Sequence, residues 1–152
     1  MKIDHEMRFA GIKLKNKTSN RDGQSSIDCG NLWQKFESDK VAFQIMNKRS
    51  NDVYAVYFNY DGDYMDPFDY FIGCMIPSDA VIADHLSEIR IPPAHYQKFM
   101  AQGKMPESIG KKWTEIWQSD IERAYTFDFE SYGSRSHDWE NAEVGIFISI
   151  KD

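Results

Sequence analysis

The hydrophobic pattern of residues 109–132 predicts one helix followed by one strand. Large apolar side chains recur at the i, i+4, i+7 and i+8 spacing of a helix with a single buried face: Ile109, Trp113, Ile116 and Trp117. Residues 125–132 then alternate between aromatic and mainly polar side chains, which is typical of a strand whose two faces differ. Glu130 therefore lies opposite the aromatic face of the predicted strand.

The alternation alone leaves two interpretations of Glu130 open. Charged residues are mostly exposed, which favours a solvated carboxylate on the outer face of a sheet. If both faces of the strand are covered, Glu130 is instead a carboxylate held among aromatic rings. An unpaired charge is costly in that environment, and a cationic partner is favourable.

Shorter patterns along the rest of the chain predict further elements. Residues 7–15 predict a strand with Gly11 as a bulge, and apolar side chains at helical spacing around Trp33 predict a short amphipathic helix. Residues 53–60 and 68–76 predict two strands joined by a hairpin turn. Three more extended segments are predicted, the first two separated by a pair of prolines: residues 86–91, 95–100 and 143–150.

The order strand, helix, strand, strand occurs twice in this series. The copies are offset by roughly 75 residues, longer than solenoid repeats, which favours two modules related by a pseudo-twofold axis. Module one covers about residues 5–80 and module two about residues 84–152. We therefore predict a single α+β domain of two pseudo-symmetric βαββ modules. Their strands form one antiparallel sheet, with the two main helices on one face.

The other face of this sheet is predicted to be aromatic. Alternation directs four side chains toward the helices: Tyr57, Tyr70, Phe129 and Ile146. It places six on the second face: Phe58, Tyr60, Phe71, Glu130, Tyr132 and Phe147. A contiguous apolar patch of this kind generally marks a binding site, so we expect a ligand groove on the face away from the helices.

Composition and charge limit the classes of function. A chain of 152 residues fits one globular domain. The net charge of -6 argues against direct nucleic-acid binding, because phosphate contacts need clustered lysine and arginine. Cys29 and Cys74 do not form a disulfide framework. The sequence contains neither a secretory segment nor an apolar run long enough to cross a bilayer, so we expect a cytoplasmic protein without membrane association.

Motifs for metal binding or nucleophilic catalysis are not found in the sequence. The four histidines lack the spacing of a metal site, and Gly110 is not preceded by the glycine of a phosphate-binding loop. No nucleophile elbow is present. We therefore expect neither a metal nor a cofactor, and the pattern favours a binding protein while leaving the question of enzymatic activity open.

Segments along nearly the whole chain resemble the GyrI-like effector-binding domains. The resemblance depends on the order and spacing of these segments together: FAGIKLKN, NLWQKF, VYAVYFNYDGDYMDPFDYFIG, IPPAHYQKFMAQG, WTEIW, FDFESY and VGIFISI. It implies two βαββ modules with a ligand groove between them. This family includes drug-sensing domains of multidrug regulators, domains attached to AraC-type DNA-binding modules, a DNA gyrase inhibitor, and stand-alone integron-cassette proteins that bind cationic drugs.

The resemblance also implies roles for individual residues. The groove carboxylate of the family falls on Glu130, which reverses the preference drawn from alternation alone. Aromatic groove positions of the family map to five residues: Phe58, Tyr60, Tyr70, Trp113 and Tyr132. Phe71 and Phe147 complete the expected ligand-binding set from the aromatic face of the sheet. A helix-turn-helix has no segment of its own in this sequence, so we expect an effector domain without a DNA-binding domain.

Three functions are compatible with this resemblance. The first is the binding of amphipathic, cationic small molecules. The second is hydrolysis of strained cyclopropane-type electrophiles, in which Glu130 is the catalytic residue. The third is regulation through a macromolecular partner, as a gyrase inhibitor acts, and exposed hairpin edges also permit a homodimer.

Overall fold

The computed structural model describes all 152 residues. Its strands are β1 (Lys2–Ile3), β2 (Met7–Lys13), β3 (Val53–Phe58), β4 (Asp69–Ile76), β5 (Ser87–Ile91), β6 (Ala94–Gly103), β7 (Phe127–Tyr132) and β8 (Ala142–Ser149). Its α-helices are α1 (Gln24–Ser38), α2 (Val41–Gln44) and α3 (Glu107–Gln118). The long helices and the strands predicted from periodicity are all present, within a few residues of their expected bounds. None of the helices has the length and apolar composition needed to cross a membrane.

All eight strands form one antiparallel sheet, in the order β1-β6-β8-β7-β3-β4-β2-β5. The central pair is β7 with β3, and equivalent strands follow on each side, β8 and β6 in one direction, β4 and β2 in the other. Each half therefore consists of a strand, a long helix and two further strands in matching positions. This confirms the predicted α+β fold of two pseudo-symmetric βαββ modules.

Both long helices pack on the same face of the sheet. The apolar face of α1 buries Leu32 and Phe36 against β4, and that of α3 buries Trp113 and Ile116 against β8. Tyr57, on the central strand β3, contacts both of these clusters. The two helices consequently lie on either side of the centre of the sheet, with the central strands accessible between them.

The opposite face of the sheet encloses a second hydrophobic core. Because the sheet curls, Phe9 and Phe71 of the first module pack in one cluster with Tyr96 and Phe129 of the second, and none of these four is more than 3% exposed. The expectation of a ligand groove on this face is corrected by the structure. The aromatic side chains that point away from the helices pack against one another in this core, with Phe127 and Phe147 half-buried at its edge.

A close approach between β2 and β4 explains the glycine in the first predicted strand. Gly11 pairs directly with Gly73, and an added Cβ on either residue would overlap a backbone carbonyl oxygen of the other strand. Regular pairing continues through Gly11 toward both neighbouring strands, so the predicted bulge is not formed. Glycine is needed here for space.

Candidate ligand-binding site

A cavity of about 980 Å³ opens between α1 and α3 above the central strands. Its floor is formed by side chains from the helix-facing side of the sheet: Val53, Tyr57, Tyr70, Glu130 and Tyr132. Its walls are formed mainly by the helices: Cys29, Trp33, Ile109, Trp113 and Trp117. The cavity lies between the two modules, as the family resemblance implies, but on the face that carries the helices.

The strand register explains how Glu130 reaches this cavity. Glu130 pairs with Ala55 of β3 on one side and with Ile146 of β8 on the other. Directly paired residues of antiparallel strands lie on the same face, and both neighbours belong to the helix-side clusters. Phe129, one residue earlier, points into the opposite core. Two predictions are therefore corrected: Phe129 faces away from the helices, and Glu130 and Tyr132 face toward them. Glu130 is only 3% exposed.

Three neutral donors hold the carboxylate of Glu130. The indole Nε1 of Trp113 donates to Oε2 at 2.7 Å, and the hydroxyl of Tyr57 donates to the same oxygen at 2.8 Å. The hydroxyl of Tyr132 donates to Oε1 at 2.7 Å. Glu130 takes part in none of the ion pairs of the structure. Its carboxylate is thus hydrogen-bonded but has no cationic side chain as a partner.

Burial dominates the electrostatics of this carboxylate. Removal from water raises the pKa of Glu130 above its usual value of 4.5, although the hydrogen bonds from Tyr132, Trp113 and Tyr57 act in the opposite direction. A carboxylate loses more hydration on burial than a few neutral donors restore. The cavity floor therefore contains an anionic group whose charge is only partly compensated.

The phenols around Glu130 remain neutral donors. Burial, followed by the negative charge of Glu130, raises the pKa values of Tyr57, Tyr70 and Tyr132 well above the usual value of 10.0. Burial is also the main cause that raises the pKa of the Cys29 thiol, with the charge of Glu130 second. Cys29 is consequently a neutral, weakly polar part of the wall.

Aromatic rings surround the carboxylate and fix one another. The ring of Tyr57 lies 4.9 Å from that of Tyr70 and 5.0 Å from that of Trp113, and the ring of Trp33 lies 4.9 Å from that of Tyr132. The indole Nε1 of Trp33 donates to the hydroxyl of Tyr70 at 2.8 Å. Edge-to-face and tilted ring contacts, together with this hydrogen bond, hold the rings in one orientation.

A buried ion pair lies next to the cavity. Arg123 Nη2 donates to Asp128 Oδ2 at 2.8 Å, and the hydroxyl of Tyr60 donates to the same oxygen at 2.6 Å. The guanidinium carbon of Arg123 lies 6.0 Å from the ring centroid of Trp113. The charge of this arginine is compensated by Asp128, and Arg123 forms no ion pair with Glu130.

Half of the predicted ligand-binding residues line the cavity: Tyr70, Trp113, Glu130 and Tyr132. Alternation assigns Tyr70 to the helix side while the family resemblance assigns it to the groove. Both assignments describe its position, because the cavity opens on the helix side. The participation of these four residues in binding stays a prediction.

The other predicted residues lie outside the cavity. Phe58 stacks on Phe127 at 5.6 Å, Phe71 is fully buried in the second core, and Phe147 stacks on Phe129 at 4.7 Å. All three point away from the helices, as alternation predicts, but that face is occupied by their own packing. They are removed from the candidate site.

Tyr60 lies outside the cavity for a different reason. Asn59 has a φ of 53°, in the left-handed region, which ends the regular alternation after β3. Tyr60 therefore turns to the helix side, where its ring lies 5.8 Å from that of Phe68 and its hydroxyl is bonded to Asp128. It supports the floor of the site from outside the cavity.

Several lining residues were not predicted from the sequence. Trp33 matches Trp113 in the internal repeat, which is the signal that could have assigned it to the same site. Alternation places Tyr57 on the helix side of the sheet, but no motif in the sequence indicates that it lines a ligand site. Trp117 fits the helical core pattern, yet it lines the cavity and stacks on Tyr64 at 5.3 Å.

A pair of βαββ modules enclosing an aromatic cavity between their helices defines an effector-binding domain of the GyrI-like class. The family model of the integron-associated effector binding proteins (Cass2) matches residues 3–150 of this chain. The protein belongs to this family, and its general activity is the binding of small molecules.

Individual relatives agree with this membership. The chain is 28% identical over 149 residues to YobU of Bacillus subtilis (strain 168), a protein named as a transcriptional regulator, with 95% of this chain and 92% of YobU covered. It is similar to the crystal structure of an integron cassette protein from the mobile metagenome of Vibrio cholerae, at 27% identity and a TM-score of 0.75, covering 99% of this chain and 94% of that one.

A third relative shares the fold at lower identity. The structure of SAV2435 bound to tetraphenylphosphonium has a TM-score of 0.77 and 18% identity to this chain, and the match covers 99% of this chain and 92% of SAV2435. This likeness establishes a common architecture for the two proteins.

Proposed function

We propose that the protein binds amphipathic organic cations in the cavity between α1 and α3, with Glu130 as the charge partner of the cationic centre. The observation that carries this proposal is the state of the carboxylate. Glu130 is 3% exposed, accepts hydrogen bonds from neutral donors alone, and forms no ion pair within the chain.

A bound cation relieves the cost of burying this charge. Desolvation makes an uncompensated carboxylate unfavourable, and a cation that enters the cavity supplies the missing opposite charge. The attraction between the two charges is stronger than in water, because the surrounding rings exclude solvent. Pairing with Glu130 therefore stabilises a bound cation but not a neutral ligand of the same shape.

The aromatic walls favour the same ligands. The rings of Trp33, Trp113 and Tyr57 line the cavity. We expect them to contribute cation-π contact to a quaternary ammonium or phosphonium centre and to bury the apolar part of the ligand. The cavity lining contains no lysine and no arginine that would repel a cation or attract an anion. Charge and shape thus select for lipophilic cations.

The relatives support this assignment. The family is one of effector-binding proteins, and the structural neighbour SAV2435 is bound to tetraphenylphosphonium, which is a lipophilic cation. SAV2435 shares its fold with this chain, and we extend its class of ligand to the cavity between α1 and α3.

A comparison of isosteric ligands tests the proposal. Biphenyl with one para trimethylammonium group is titrated against the wild-type protein beside biphenyl with one para tert-butyl group, which has the same shape without the charge. Quenching of intrinsic tryptophan fluorescence reports binding, since Trp33, Trp113 and Trp117 line the cavity. We expect the cation to bind ~10-fold more tightly or better, equivalent to ~1.4 kcal/mol. Equal affinities, or no binding of the cation, would refute the proposal.

A further inference from the structure

A second carboxylate lines the same cavity. Glu37 lies in the last turn of α1, is exposed to solvent, and forms no ion pair. Among the 23 lining residues, Glu37 and Glu130 are the acidic ones, and His137 is the one titratable base. The lining therefore combines one buried and one solvent-exposed negative charge.

Helix α1 places Glu37 at the C-terminal end of the wall that it contributes to the cavity. Cys29, Trp33 and Glu37 follow one another at i, i+4 and i+8 on the face of α1 that lines the cavity. Glu37 is eight residues beyond Cys29, which corresponds to about 12 Å along the helix axis. The Trp33 ring packs on Tyr132, whose hydroxyl donates to Glu130, so the Cys29–Trp33 turn lies over the buried carboxylate.

The cavity is correspondingly elongated along α1. Its lining follows this helix from Ser25 to Glu37, a length of about 18 Å at 1.5 Å per residue. A compact monocation seated on Glu130 leaves the outer part of this length unused. A longer ligand reaches the exposed carboxylate while its middle remains in contact with the aromatic walls.

We propose that the preferred ligands are elongated aromatic dications, with one cationic centre on Glu130 and the second on Glu37 at the mouth of the cavity. This inference rests on the proposed function and names its ligand class. An exposed carboxylate contributes less than a buried one, because water and salt screen it. Monocations therefore still bind, and the second charge adds a preference of about two- to five-fold.

The test compares two probes in four proteins. The probes are biphenyl with a trimethylammonium group at each para position and the analogue with one such group. The proteins are the wild type, Glu37→Gln, Glu130→Gln and Asp28→Asn. Asp28 is on the same helix but outside the cavity lining, so its variant removes an equal charge without removing a proposed contact.

The expected result is selective. Glu37→Gln weakens binding of the dication by about two- to five-fold and leaves the monocation unchanged, and the difference shrinks as salt is added. Asp28→Asn changes the affinity of each probe by less than Glu37→Gln changes the affinity of the dication.

Other results overturn the inference in distinguishable ways. If both probes bind through Glu130 but Glu37→Gln affects them equally or not at all, the dication assignment fails and the proposed function stands. If Asp28→Asn weakens binding of the dication as much as Glu37→Gln does, the effect comes from the overall negative charge of the surface. Glu37 is then not the partner of the second cationic centre. If neither probe binds the wild type, or Glu130→Gln changes neither affinity, the proposed function fails together with the inference.

Discussion

The indole nitrogen of Trp113 lies 2.7 Å from Glu130 Oε2, so helix α3 is hydrogen-bonded directly to the central strand β7. This bond joins the main wall of the cavity to its charged floor. It also uses the one polar atom of a side chain that is otherwise part of the helical core, with only 9% exposure. Packing and ligand recognition therefore depend on the same residue.

Replacement of Trp113 by phenylalanine should reveal this double role. The Trp113→Phe variant loses a donor to a buried carboxylate, and we expect the free energy of unfolding to fall by ~1.5–3 kcal/mol. Urea unfolding at neutral pH measures the loss. The matched control is Trp117→Phe, because Trp117 is half-buried and its indole nitrogen makes no hydrogen bond within the chain. Equal losses in the two variants would contradict the role assigned to the Trp113–Glu130 bond.

The raised pKa of Glu130 predicts a particular dependence of stability on pH. In the folded protein Glu130 binds its proton more tightly than an ordinary glutamate, whose pKa is 4.5. The stabilising contribution is therefore complete below that value and is lost as the pH rises through the raised folded pKa. We expect the stability of the wild type relative to Glu130→Gln to decline over this range and then to level off.

Urea unfolding of the two proteins across a pH series provides the measurement. Taking their difference removes the contributions of other titrating groups that the proteins share. A difference that increases with pH would mean that hydrogen bonds outweigh burial and that the pKa is lowered.

The buried Arg123–Asp128 pair should be necessary for stability. In Arg123→Met the Asp128 carboxylate keeps its bonds from Tyr60 and Ser149 but loses its only cationic partner. We expect a loss of ~3–5 kcal/mol in the free energy of unfolding, the usual cost of leaving a buried charge unpaired. Arg135→Met, which breaks a pair whose arginine side chain is 81% exposed, should cost less than ~1 kcal/mol. Similar losses in both variants would argue against an uncompensated charge in Arg123→Met.

Glycine positions should respond in opposite directions to an added methyl group. Gly73→Ala should destabilise the protein, because its Cβ would overlap the backbone of Ala10 where β2 and β4 approach. Gly110→Ala should stabilise α3 by ~0.5–1 kcal/mol, since a Cβ there meets no atom within 4 Å and alanine favours the helix. Thermal unfolding of both variants tests this contrast. Stabilisation by Gly73→Ala would disprove the close packing of β2 and β4.

The fold was predictable from the sequence because local patterns and the internal repeat agree. Periods of 3.6 and 2 identify the long helices and the strands, and the repeated order of elements predicts the two modules. Helix α3 illustrates this, since the spacing of its apolar positions predicts its buried face, on which Trp113 and Ile116 are buried. The position of the groove was not predictable in the same way.

Alternation states which residues share a face, but not which face meets the helices. In β7 both faces are buried, one carrying Phe127 and Phe129 and the other Asp128 and Glu130. The apolar side was assigned to the helices, although the polar side faces them and its carboxylates find partners from distant elements. The turn of Tyr60 depends on the left-handed backbone of Asn59, which no hydrophobic pattern reports.

The central claim is that the charge of Glu130 selects the ligand. The most direct measurement is a double comparison of affinity, with wild type and Glu130→Gln titrated with the trimethylammonium and tert-butyl biphenyls. Glu115→Gln, which removes an exposed carboxylate from α3, and Tyr132→Phe, which keeps the charge of Glu130, serve as controls.

We expect Glu130→Gln to weaken binding of the cation by ~1–3 kcal/mol, to leave the neutral compound nearly unchanged, and to abolish the preference for charge. Both controls should retain that preference. An undiminished preference for the cation in a folded Glu130→Gln protein would contradict the assignment of Glu130 as its charge partner.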